Sequence, residues 1–311
     1  MTFQDVANLR YRVALLRDAG DVLASLASAF DLLDDAGEPP LRERATGLVT
    51  IKVNLTAPRA SGSGVVTDVA VVDAFIRLLR DRVPDVQRIV VADGPGMARA
   101  EECFRVAGYE RLVTDLGVEL IDLNEAPTRT TGVPGWLRYP TLEIPEVVLD
   151  ANLFVSITPP KTHTDGLYTL HAKNMYGVPP NRFYGRPRKA FHKAGVSEVV
   201  HDINRARGID LAIFDGLAAT QLGDPIDGER VELGVIAAGW NAQAVDIVGC
   251  GLMQVAPERS KYLNYLRAAG YGPISISDVA VLGEAIGDVS LPFAVPDGRQ
   301  RHRKSVEDSA H

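Results

Sequence analysis

Cysteine is nearly absent. Cys103 and Cys250 are the only two in 311 residues, and they form no Cys-x-x-Cys pair. A disulfide framework, a thiolate zinc site and a resident iron–sulfur cluster are therefore not expected. Positive charge is in the minority, with 33 Lys and Arg against 40 Asp and Glu and a net charge of −7. That balance argues against a general nucleic-acid binder and against a protein held to anionic lipid. No apolar run approaches the roughly 20 residues that a spanning helix needs. The N-terminus, MTFQDVANLRYRV, lacks an apolar stretch behind a basic start, so no secretory signal is expected and a cytoplasmic location is. Several motifs are missing as well. There is no Gly-x-x-x-x-Gly-Lys-Ser/Thr loop, no Gly-x-Gly-x-x-Gly turn after a strand, no Gly-x-Ser-x-Gly elbow, and no His-x-His or His-Glu-x-x-His spacing. Common nucleotide sites, the α/β-hydrolase nucleophile and the familiar zinc sites lose their signatures with them.

What is present is an ordinary globular composition, 46% hydrophobic and 23% charged, long enough for one large domain or two medium ones. Apolar residues at 22, 23, 26, 30 and 33 share one helical face. Residues 48–55 (LVTIKVNL) and 152–157 read as buried strands, and 13–16, 89–92, 118–123, 210–214, 231–237 and 275–282 as further strands. Between them lie helical patterns at 69–83, 97–107, 196–207, 242–255 and 260–269, with Thr67 or Asp68 and Asn241 placed to cap two of them. Strands alternating with helices predict an α/β fold: a mostly parallel twisted sheet with helices on both faces, forming two interleaved lobes around one cleft. Lobe 1 is read at about 11–125 and lobe 2 at about 146–285, within a single unit over 1–296. Residues 297–311 (DGRQRHRKSVEDSAH) read as a disordered tail.

Residues 158–193 (TPPKTHTDGLYTLHAKNMYGVPPNRFYGRPRKAFHK) stand apart. They hold seven basic residues and one acid, leaving 26 basic against 39 acidic residues elsewhere. They also hold three of the six histidines, His163, His171 and His192. A basic island in an acidic chain repels itself unless an anion or protein carboxylates offset it. The absence of helical periodicity there suggests a loop that wraps a ligand, against the plainer reading of a solvated surface loop. Lys161 and His163 follow the 152–157 strand, Lys52 and Asn54 end LVTIKVNL, and Asp93 and Asp215 each open an Asp-Gly pair after a strand. Ligands in open α/β sheets bind outside the carboxyl ends of strands, so these ends are expected to share one rim. Each Asp-Gly pair taken alone is an ordinary turn.

The stretch PKTHTDGLYTLHAKNMYGVPP followed by FHK resembles the signature of the family called domain of unknown function 362, a Pro-Lys-Thr-His pair, then Lys-Asn-x-x-Gly, then Lys and His. IKVNL, VADGPG, GYERLVTDLGVELIDLNE and FDGLAATQLGDPIDGE resemble its other landmarks in order, across about residues 13–283. Val53 stands where Pro is usual and Asp224 where Gly is usual. The resemblance implies polar site positions at Lys52, Asn54, Asp93, Lys161, His163, Lys173, Asn174, His192, Asp215 and Asp224. Many relatives carry a ferredoxin-type cluster domain, for which this chain lacks the cysteines.

These residues suggest an enzyme binding a small metabolite that bears sulfate, phosphate or carboxylate. Lys52, Asn54, Asp93, Lys161, Asn174 and Arg188 are expected to bind the substrate. His163, His192, Lys173 and Asp215 are expected to be catalytic, a histidine serving as acid or base near neutral pH. The sharpest version is a cofactor-independent lyase or cyclase of specialised metabolism, in which cations stabilise a departing anion during an intramolecular substitution. Two other readings stand beside it: a redox or metal-assisted enzyme with an external iron–sulfur partner, and a non-catalytic anion-binding or scaffold subunit. No cofactor is expected, and a divalent metal is admitted on Asp93, Asp215 and Asp224, with His163 as a candidate nitrogen ligand. A homo- or hetero-oligomer is also admitted.

Overall fold

The structure, a computed structural model, describes residues 10–163, 167–223 and 228–296. Its strands are β1 (Tyr11–Arg17), β2 (Gly47–Lys52), β3 (Val86–Asp93), β4 (Glu119–Asp122), β5 (Thr128–Gly132), β6 (Thr141–Pro145), β7 (Leu153–Thr158), β8 (Lys161–His163), β9 (Leu167–Thr169), β10 (Leu211–Gly223), β11 (Glu229–Gly239) and β12 (Val279–Gly283). The longer helices and those that shape the site are α1 (Val22–Asp35), α2 (Val69–Arg82), α3 (Ala100–Val106), α4 (Glu110–Leu116), α5 (His171–Asn174), α6 (Lys189–Ala194), α7 (Val196–Ala206), α8 (Ala242–Leu252) and α9 (Lys261–Ala268). The main sheet runs β12-β1-β11-β10-β7-β2-β3-β4, with β8 and β9 added beside β10. Most neighbours are parallel; β11 runs against both β1 and β10. The expected mostly parallel α/β sheet is what forms.

Alternation along each strand explains why both faces are covered. On β1, β3, β10 and β11, Val13, Leu15, Val90, Ala92, Ala212, Phe214, Val235 and Ala237 join a core with α7, α8 and α9. The intervening Ala14, Ile89, Val91, Leu211, Ile213, Ile236 and Ala238 join a second core with α1, α2, α3 and α4. Successive strand side chains point to opposite faces, so two apolar layers of helix are required, one on each side. The helix starts carry the predicted caps: Asp68 accepts from the Ala70 amide and Asn241 from the Ala244 amide.

Several local expectations are corrected. The helix read at 97–107 begins only at Ala100, and a second helix, α4, follows it. Strand β10 does not turn at Asp215-Gly216. It continues to Gly223 through a register shift between Gly216 and Ala218, because Gly216 packs where a Cβ would meet the Val235 carbonyl at 2.6 Å. Residues 124–145 form the antiparallel pair β5–β6, and its connection is held by one carboxylate. Asp202 on α7, fully buried, accepts from the amides of Leu137 (2.7 Å), Arg138 (2.7 Å) and Tyr139 (2.8 Å). Burial opposes its ionisation, but bonds from His201 and these amides outweigh that and hold the carboxyl below its ordinary range. Asp202→Ala is expected to lower the unfolding free energy by about 2–3 kcal/mol in urea titrations, since it orphans several amides together. A loss below about 0.5 kcal/mol, the scale of an ordinary surface change, would mean that those amides rehydrate freely.

None of the described helices is long and apolar enough to cross a membrane. The tail at 297–311 lies outside the described residues.

Candidate active site

Strand order decides where the site lies. From β2 the chain builds outward through β3 to β4 over the α2–α4 face. From β7, on the other side of β2, it builds outward to β10 over the α5–α7 face. The crossovers diverge between β2 and β7, which leaves a crevice at the carboxyl ends of these strands. Lys52 closes β2 and lies in register with Ser156 on β7 and Ala92 on β3, one residue before Asp93. A cavity of about 210 Å³ opens there. Lys52, Asn54, Asp93, Lys161, Lys173, Asn174, Arg188 and His192 all line it. Eight of the ten expected catalytic and substrate-binding positions therefore share one cavity, although they span 140 positions of sequence.

Its floor is a continuous polar network. Lys52 Nζ donates to Asp93 Oδ1 (2.5 Å), to the Val53 carbonyl (2.7 Å) and to Asn174 Oδ1 (3.1 Å). Asp93 also accepts from the Leu55 amide (2.5 Å) and the Gly94 amide (2.8 Å). Lys161 Nζ donates to Asn54 Oδ1 (2.5 Å), to the Val65 carbonyl and, at 3.4 Å, to Thr56 Oγ1. An ammonium has three N–H donors, so Lys52 and Lys161 are fully engaged by protein acceptors. They act on a guest through their charge. Asn174 Oδ1 receives both Lys52 and Asn54 Nδ2 (3.1 Å), while its Nδ2 donates to Ser156 Oγ (3.0 Å). Ser156 Oγ also lies 3.0 Å from His171 Nδ1, which extends the network from Lys52 to α5. Asp246 on α8 fixes α5 from below, accepting from the amides of His171 (2.7 Å) and Ala172 (3.0 Å).

Burial and like charge set the protonation pattern. Desolvation first, then the neighbouring Lys173, lower the Lys161 pKa to about 7. Desolvation lowers Lys173 to about 8 and also lowers Lys52. His192 is pushed below its ordinary value by desolvation, then by Lys173 and Arg188, which keeps it a neutral proton acceptor near pH 7. Buried His171 falls to about 3 and stays neutral. Desolvation lifts Asp215 and Asp246 to about 7 each.

Arg188 has a more structural part than a simple anion clamp. It is 2% exposed. Its Nε donates to the Pro179 carbonyl (2.7 Å), and its Nη2 to the carbonyls of Gly94 and Gly177, each at 2.9 Å. It thus ties the Asp93-Gly94 turn to the Lys-Asn-x-x-Gly segment, where a Cβ on Gly94 would meet the Gly177 carbonyl at 2.5 Å. This leaves Nη1 as the part of the guanidinium toward Gly96 on the cavity wall.

The basic island divides. Lys161, Lys173 and Arg188 turn inward, whereas Arg182, Arg186, Lys189 and Lys193 are exposed. Asp215 does not line the cavity. It is buried within β10, where Oδ2 accepts from the Asp68 amide (2.7 Å) and Oδ1 has no partner among the described residues. Its negative charge bears on Lys161. The side chain of His163, and Asp224 altogether, lie outside the described residues. No group of three or more His, Cys, Asp and Glu that could hold a metal occurs among the described residues. Asp93, admitted as a metal ligand, is bound to Lys52 and two amides.

Sequence reasoning passed over Thr56, Ser156, Tyr176 and Asp246. Ser156 and Asp246 carried a signal, each being a polar residue set in a mostly apolar strand or helix.

The fold and cavity define an open α/β protein with a cation-lined site at its switch point. The chain belongs to the family described as domain of unknown function (DUF362), whose profile matches residues 49–251 and so includes all eight cavity residues named above. It is 25% identical over 255 residues to the thylakoid-associated protein sll1697 of Synechocystis sp., covering 79% of this chain and 75% of that one. Among solved structures it is similar to the lactate racemase apoprotein of Thermoanaerobacterium thermosaccharolyticum (TM-score 0.48, 13% identity, 82% of this chain). A protein from Thermotoga maritima is also similar (TM-score 0.41, 13% identity, 73% of this chain). The chain spans 60% and 57% of the lengths of those two.

Proposed function

We propose that this protein is an enzyme acting on a small metabolite that carries sulfate, phosphate or carboxylate, bound in the cavity at the β2/β7 crevice. One observation carries the reading. Lys52, Lys161, Lys173 and Arg188 line one cavity in which the sole lining carboxylate among the described residues, Asp93, is already paired with Lys52. Cations gathered in a desolvated site repel one another, and an anionic guest relieves that cost. The reaction we favour is an intramolecular substitution without a cofactor. His192 takes the proton of an internal amine, the amine lone pair forms the new ring bond, and the bond to the sulfate or phosphate breaks with its electron pair. The surrounding cations stabilise the charge that grows on the leaving group. The two free thiols suit a reducing compartment, and we place the enzyme in the cytoplasm.

Calorimetry with inorganic sulfate and phosphate tests the site, and release of sulfate or phosphate from small amino-alkyl esters tests the reaction. Lys173→Ala is expected to weaken anion binding about ten- to a hundredfold, the worth of a charge-assisted hydrogen bond. His192→Ala should abolish turnover and leave anion affinity within about threefold, since a neutral imidazole contributes little charge. An unmodified protein that neither binds nor is stabilised by either anion would end the proposal.

A further inference from the structure

We infer that the cavity takes an amphiphile, an anionic head joined to a short apolar chain. The head sits on the Lys52–Lys161 floor and the chain runs along Pro95, Met97, Tyr176 and Pro187 at the mouth. This rests on the anion-binding reading above and narrows its substrate class.

The two ends follow from connectivity. Lys52, Asp93, Asn174, Asn54 and Lys161 are joined by hydrogen bonds one to the next, so they form a single polar patch. The patch is deep, for Lys52, Asp93, Lys161 and Asn174 are all buried. Gly177 lies against it, since a Cβ there would meet Lys52 Nζ at 3.1 Å and Asp93 Oδ1 at 3.2 Å. The Gly177 carbonyl accepts from Arg188 Nη2, and Pro187 precedes Arg188 in the chain. A Cβ on Gly96 would in turn meet Pro187 Cβ at 3.2 Å, and Met97 comes next. The lining therefore passes from the buried ion pair, through Gly177 and Arg188, to half-buried Gly96 and Pro187. It ends at Met97, which is 70% exposed.

The outer wall offers a guest mainly carbon. Its backbone acceptors are engaged by the protein: the Gly94 carbonyl by Arg188, and those of Pro95 and Gly96 by Asn181 Nδ2 at 3.0 and 3.3 Å. Pro95 and Pro187 have no N–H to donate. The Tyr176 hydroxyl is buried, so the ring is what Tyr176 presents to the cavity. That ring packs edge-on against His192, with centroids 5.6 Å apart. A single exposed methionine is ordinary on a protein surface. Here it extends a wall of proline, glycine and aromatic carbon, and its flexible thioether adapts to chains of varied shape. Charge-assisted attraction holds the head, and removal of apolar surface from water holds the chain.

Calorimetry of the full-length protein with alkyl sulfates and alkyl phosphates, methyl to hexyl, tests this beside the inorganic anions. Affinity is expected to rise about two- to threefold per methylene, below the roughly fourfold of a fully buried one, because the mouth is half open. The heat capacity of binding should become more negative along the series. Met97→Gln is expected to narrow the hexyl-to-methyl affinity ratio by about threefold or more, and Met97→Leu, which keeps the carbon surface, to preserve it. Hexylammonium, with the same chain and the opposite charge, should bind about a hundredfold more weakly than the hexyl anion. Flat affinity from methyl to hexyl, or a ratio that Met97→Gln does not narrow, overturns the inference and leaves the anion site standing. Hexylammonium that binds as tightly as the hexyl anion also overturns it, because the chain is then held without the head. Failure of the inorganic anions and of every alkyl anion alike removes the underlying reading, and this inference with it.

Discussion

Asp93→Ala is expected to cost about 3–5 kcal/mol of unfolding free energy, the largest single effect open to mutation in this cavity, because it strands a buried cation. The Lys52 side chain is 1% exposed and the Asp93 side chain 5%, so neither can turn to water without the cavity floor opening. The carboxylate also serves the amides of Leu55 and Gly94, which join the ends of β2 and β3. Removing it takes from Lys52 its paired carboxylate and one of three acceptors, and strips two amides of their acceptor, in a region that already holds Lys161 and Arg188. Urea titration of the purified variant measures the loss. The double variant Lys52→Met with Asp93→Asn should recover much of it, since it removes charge from both partners while keeping volume. A single variant that loses less than about 1 kcal/mol would show that Lys52 escapes to solvent or gives up its proton, and that the pair is not the floor of the site.

The second large effect is on pH dependence, and its sign is set by the lysines. In the free protein Lys161 and Lys173 release their protons near pH 7 and 8, against about 10.4 for an unfolded lysine. The folded state binds fewer protons than the unfolded one between those limits. Their contribution to stability is therefore fully present above about pH 10.4 and is lost as pH falls through 8 and 7. Asp215 and Asp246 act in a separate window. Held up to about 7, they favour the folded state below about pH 4, and this favour is lost as pH rises toward 7. Above pH 7 the lysines dominate. An anion that binds the charged lysines raises their pKa and erases the alkaline gain. Sulfate affinity is expected to be flat below about pH 7 and to fall by up to about tenfold per unit above pH 8 for each proton taken up. Calorimetry in buffers of different ionisation enthalpy should register that uptake near pH 8. Affinity unchanged from pH 6 to 9 would mean that neither lysine faces the anion.

Much of the architecture was readable because it depends on local periodicity. The run at 152–157 predicts a strand, and β7 (Leu153–Thr158) is that strand, fully buried at the centre of the sheet. Asp68 and Asn241 predict helix starts because a short side-chain oxygen satisfies an amide that the helix itself cannot. The break at Asp215 failed for a reason beyond local sequence. Asp-Gly favours a turn, but β11 pairs along β10 on both sides of Gly216 and carries the strand through. The density of chemistry in residues 158–193 was also visible, yet the direction of each side chain was not. A segment with neither period 2 nor period 3.6 gives no face to reason from, so inward Arg188 and outward Arg186 look alike in the sequence.

The sequence by itself determined that strands and helices alternate, that apolar residues appear on both strand faces, and that cations gather in one segment of an acidic chain. Those properties follow from residue type and spacing, which act over a few positions. Only the tertiary structure decided that Lys52 and Asp93 meet Lys161, Lys173 and His192 across the β2/β7 crevice. It also decided that the protons of Lys52 and Lys161 are taken by protein acceptors and that Asp215 stands behind the wall. Such outcomes depend on strand order and on competition for hydrogen-bond partners from distant parts of the chain, and neither is encoded in any local stretch of residues.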